Sequence, residues 1–67
     1  MFNEVQIIQV GLNFAREVEH MRKVIRFSAQ RLDPHTWGVY VEGENRQGET
    51  LALKMRIDDT GALFKVP

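Results

Sequence analysis

The chain has no cysteine, only two prolines, a single serine and a single tryptophan in 67 residues. The missing thiols exclude a disulfide framework, thiolate metal sites and cysteine nucleophiles. Net charge is also absent: nine Lys+Arg balance nine Asp+Glu. That argues against a surface that is a phosphate trap throughout. Long apolar runs are missing too. The longest are short, such as Val39-Tyr40-Val41, far below the length of a membrane span. The start, Met1-Phe2-Asn3-Glu4, has no basic segment before an apolar run, so no signal peptide and a cytoplasmic location are expected.

What is present is an ordinary globular mix, 43 % apolar and 27 % charged. Sixty-seven residues make one small domain. A chain this short buries only about 60 % of its unfolded surface. With no disulfide and no evident metal site, oligomerisation is the remaining usual staple. A homodimer or higher oligomer is the expectation.

One seam divides the chain, at Asp33-Pro34. Before it, Phe14, Val18, Met21, Ile25, Ser28 and Leu32 recur at steps of three and four. This predicts an amphipathic helix over 13–32, capped by Asn13 and ended by Pro34. Residues 3–12 carry two apolar stripes, Ile7-Gly11 and Val5-Ile8-Leu12. They read as helix slightly ahead of strand. An apolar second side needs its own cover, so Val5, Ile8 and Leu12 are candidate contacts with a partner. Another reading stays open. Lys23 to Arg31 can be a strand with Ile25, Phe27 and Ala29 on one face, following a shorter helix over 3–20.

After Pro34 the pattern alternates. Trp37, Val39 and Val41 share one face, as do Leu51, Leu53, Met55 and Ile57. Asn45 to Gly48 and Asp58 to Gly61 are turns, and Ala62 to Val66 is a last strand with Phe64 and Val66 inward. The fold class is therefore α+β, a helix packed on a three-stranded antiparallel meander. The alternatives are an extra N-terminal strand, or the shorter helix on a four-stranded meander.

Candidate sites are few. Arg22, Lys23, Arg26 and Arg31 follow one another with no acid between. On a helix they would form a basic face able to contact nucleic acid. A solvated face complementing the helix dipole is the simpler reading. The two sequence halves carry opposite surpluses, which suits self-association. Glu17 and His20 have the E-x-x-H spacing of carboxylate metal bundles but lie off the apolar stripe. His35 reads as a turn residue, and Ser28 as a small packing residue. Asp58 and Asp59 read as turn formers rather than a catalytic pair. Trp37 and Met55 read as core. Tyr40, pointing the other way beside Ala52, is the best single contact candidate.

The stretch Trp37 to Val66 resembles the closing strands of PepSY-type domains, which also run from a tryptophan strand to a D-x-T-G hairpin, here Asp58-Asp59-Thr60-Gly61. It covers under half the chain, and no residue role or function is carried over from it. The expectation is a non-catalytic protein-interaction module without cofactor or metal, a regulator, inhibitor or assembly subunit. Its partners would be itself and another protein. The rival is a nucleic-acid-associated protein.

Overall fold

The computed structural model describes residues 2–66. One helix, α1 (Glu4–Glu17), is followed by four strands: β1 (Lys23–Asp33), β2 (Thr36–Glu44), β3 (Thr50–Asp58) and β4 (Leu63–Val66). The strands pair antiparallel in the order β1-β2-β3-β4. The fold is α+β, and the four-stranded variant is the one formed.

The helix does not run over 13–32: only residues 13–17 of that span are helical, as the end of α1, whose cap is Asn3 and not Asn13. The Asn3 carboxamide accepts from the Gln6 N–H, and the Gln6 side chain returns to the Asn3 N–H. This capping box starts the helix at Glu4. The helix stops at Val18, and His20, at φ 58, turns the chain away. Lys23–Asp33 then pairs along β2 from Lys23↔Glu44 to Asp33↔Thr36. The physical reason is local and global at once. Val24, Ile25 and Phe27 prefer extended backbone. A helix here would also have left the long β2 as a bare edge. Ser28 accordingly faces out opposite Tyr40 rather than packing on a helix.

All three hairpins open on an Asx residue whose side chain folds the turn. The Asp33 carboxylate accepts from the His35 N–H, Asn45 from Gln47 and Glu49, and Asp58 from Thr60 and Ala62. Gly48 and Gly61 supply the positive φ of the two longer turns. The second of these sets the register of β4. Ile57 pairs with Leu63, so Leu63 faces the helix and Phe64 lies opposite Arg56 on the outer face. The expected inward pair Phe64 and Val66 is therefore off by one residue, which reverses every side chain of a strand.

The core forms between α1 and one sheet face. Ile7 and Ala15 meet Val39, Val41, Leu53, Met55 and Ile57. Gly11 lies between Ile7 and Ala15, where the helix comes closest to β2. Met21 seals the far end over Gly43, where a Cβ would stand 2.6 Å from its sulfur and 2.0 Å from the Lys23 carbonyl oxygen. Among the described residues no helix is long and apolar enough to cross a membrane.

Candidate interaction surface

The backbone of β1 defines the site. Asn45 N–H donates to the Glu49 carbonyl at 3.0 Å. Hydrogen-bonded pairs alternate along an antiparallel ladder. Counting back, Val41/Leu53, Val39/Met55 and Trp37/Ile57 are the bonded β2–β3 pairs. Gly38, Tyr40 and Glu42 therefore turn their backbone to β1, where they meet Gln30, Ser28 and Arg26. The intervening residues of β1, Phe27, Ala29 and Arg31, direct N–H and C=O to the open edge. Register shifts at Ile25 and Leu32 bound this regular stretch.

The side chains beside that edge are apolar on the helix side. Phe27 is 48 % exposed there, and Ile25 within the same strand 52 %. α1 runs in the direction of β2: Phe2 lies against Gly61, Gly11 against Val39 and Met21 against Gly43. Seen from the helix with β2 running upward, L-residues place β3 on the right and β1 on the left. A right-handed helix with Ile7, Gly11 and Ala15 on the sheet then turns Ile8 and Leu12, and beyond them Val5, toward β1. Leu12 reaches the core and Ile8 is half-buried, while Val5 is 75 % exposed. Three of the four residues expected to meet a partner thus lie on one flank with Phe27. Sequence reasoning left Phe27 out of that set. Its alternation with Ala29 was the signal for it.

Tyr40 is not part of this surface. It lies on the opposite face of the sheet, where its hydroxyl donates to Glu42 at 2.8 Å and Glu42 pairs with Arg26 at 3.1 Å. The hydrogen bond to the Glu42 carboxylate holds the Tyr40 phenol above its usual range. Tyr40 also borders a shallow outer groove of about 250 Å³ with Ser28, Gln30, Lys54 and Arg56.

The expected basic helix face does not form, because its four cations sit on or before a strand. Arg26 is on the outer face, and Arg31 on the inner one with its guanidinium 4.7 Å above the Trp37 ring. Arg22 and Lys23 stand at the start of β1. There Arg16, His20, Arg22 and Arg46 border a depression of about 140 Å³. Glu17 ends α1 and His20 lies beyond it, so the E-x-x-H pair shares no helix. Among the described residues no group of three His, Cys, Asp or Glu could hold a metal ion.

At the other end of β1 the chain is acidic. Asp33 and Asp58 are held below the usual carboxylate range, Asp33 first by the His35 N–H and Asp58 first by the Thr60 hydroxyl. Asp59 instead bonds the His35 ring at 2.6 Å, joining two turns, and this contact raises the His35 pKa above its ordinary value. Asp58 and Asp59 thus serve different partners and share no proton. Comparison with protein-family models, curated proteins and solved structures finds no match. The likeness of Trp37–Val66 to PepSY-type strands therefore brings no family assignment.

Proposed function

We propose that this protein is a non-catalytic protein-interaction module, a regulator, inhibitor or assembly subunit, that works in the cytoplasm as a homo-oligomer. The observation that carries this reading is the open edge of β1. Within this eleven-residue strand, the stretch Arg26–Arg31 between the two register shifts has regular unpaired backbone and an apolar flank. Proteins ordinarily blunt such an edge with charge, proline or a covering element. Edges left bare are where a further strand adds.

Light scattering on a sizing column tests the oligomer, and affinity capture with intact and Val5→Glu/Ile8→Glu baits tests the surface. A mass above 7.8 kDa and a partner lost from the variant bait are expected. A monomer at every concentration, together with identical capture by both baits, would defeat the proposal.

A further inference from the structure

We infer that the β1 edge pairs with β1 of a second copy, antiparallel about a two-fold axis at Ala29, forming one continuous eight-stranded sheet. This rests on the interaction-module reading and specifies its partner. Four features of the edge point to its own copy.

The edge is symmetric in its bonding. Phe27, Ala29 and Arg31 are the outward residues, and Ala29 is their midpoint. A two-fold axis there sets Phe27 against Arg31 of the second copy and Ala29 against itself. Every outward N–H then meets an outward C=O. The register shifts at Ile25 and Leu32 lie just outside this stretch, so neither interrupts it.

The edge is complementary in charge. Lys23 begins β1, with Arg22 just before it, and Asp33 ends it. Antiparallel self-pairing brings the basic start of one strand beside the acidic end of the other. Parallel pairing would set like charges together.

The faces agree. A two-fold axis perpendicular to the sheet leaves both helices on the same side. Each α1 turns Ile8, Leu12 and Val5 toward β1, so the two apolar flanks face each other above the new strand pair. Phe27, half-exposed in one copy, is covered between them. Such a patch has no cover in a single chain, and a second copy supplies an identical one.

The centre of the edge is unguarded. Phe27–Gln30 contains no charge and no proline, and the cations Arg26 and Arg31 and the two register shifts lie at its ends. Lys65 and Phe64 on the opposite edge belong to a strand of only four residues, too short to offer a comparable template.

Three variants test the geometry, with the full chain and light scattering from about 10 to 500 µM. Ala29→Pro removes an edge-facing N–H and no bond of the β1–β2 ladder. It should stay folded by circular dichroism and fall to half the wild-type mass. Ile8→Glu, on the helix, should do the same and decides the matter if Ala29→Pro unfolds. Ser28→Cys/Gln30→Cys places thiols opposite each other across the axis, at the roughly 4.5–5.5 Å Cβ spacing of non-bonded pairs. It should oxidise to a covalent dimer, which a chain with no native cysteine makes unambiguous. A wild-type dimer unaffected by Ala29→Pro and Ile8→Glu, and a double-cysteine variant that stays monomeric on denaturing gels, would overturn the edge pairing while leaving an oligomeric module. A wild-type monomer throughout would overturn both.

Discussion

Gly11 of α1 sits so close to Val39 of β2 that a Cβ at position 11 would stand 2.8 Å from Val39 Cγ1. That contact sets how near the helix lies to the sheet. In an exposed helix, glycine to alanine gains about 1 kcal/mol. Here the methyl must displace a buried, β-branched side chain whose χ1 is restricted. Overpacking of this kind costs about 1–3 kcal/mol. Gly11→Ala should therefore lower stability by about 1 kcal/mol in urea denaturation. A gain would mean that Val39 yields freely.

Ile7 and Val5 separate the two sides of α1. Ile7 is fully buried, and Val5 is 75 % exposed. Truncating a buried isoleucine costs about 2–5 kcal/mol, much of the stability a domain this small has. Ile7→Ala should leave the chain largely unfolded at moderate urea. Val5→Ala should fall within about 0.5 kcal/mol of wild type in the monomer. Equal effects would place the helix in the wrong rotation.

The His35–Asp59 contact joins the β1–β2 and β3–β4 turns. Its protonated form is favoured, so the folded His35 pKa is raised above 6.5. A group with a raised folded pKa contributes stability that is fully present below its unfolded pKa. That contribution is lost as pH rises through the folded value. Asp59→Asn should bring the His35 titration, followed by its imidazole NMR signals, back toward 6.5. It should also flatten the loss of stability that sets in as pH rises above 6.5. An unchanged titration would mean that the pair is not formed in solution.

Tyr40 and Glu42 give a spectroscopic check of the outer face. The Glu42 carboxylate accepts from the phenol and opposes its ionisation, while Arg26 acts in the other direction. Alkaline titration of tyrosinate absorbance should place Tyr40, the only tyrosine, above 10. Glu42→Gln should lower that value. A value unmoved by the substitution would show that the Glu42 contact does not control the phenol.

Much of the sheet is legible in the sequence. Trp37, Val39, Val41, Leu53, Met55 and Ile57 alternate strictly, and a two-residue period admits one reading. β1 was harder. Its residues Ile25 and Leu32 continue a three-four spacing begun at Phe14, yet both are the extra residues at register shifts of a strand. Bulges break the two-residue rhythm that would have identified it. The interaction flank was half legible. Two apolar stripes on residues 3–12 implied a second contact, and Val5, Ile8 and Leu12 do share a side. Tyr40 stands out in the sequence because it alternates away from the core residues, and that same alternation puts it on the opposite face of the sheet from the helix flank.

The sequence alone determined the turns at Asn45–Gly48 and Asp58–Gly61 and the alternation of β2 and β3, because each depends on neighbours within a few residues, as Asn45 with Gln47 and Asp58 with Thr60. The cap at Asn3 and the turn at Asp33 are as local, but the three-four spacing running on from Phe14 masks them. The sequence also determined that apolar surface would be left over. The fate of Lys23–Asp33 was decided only by tertiary structure. Its local preferences were divided, and a helix would have left Trp37–Val41 without a neighbouring strand. Pairing with β2 satisfied that backbone and moved the open edge outward to β1. The same step carried Phe27 and Ala29 to the rim of the molecule, beneath the flank of the helix whose second stripe had needed a cover.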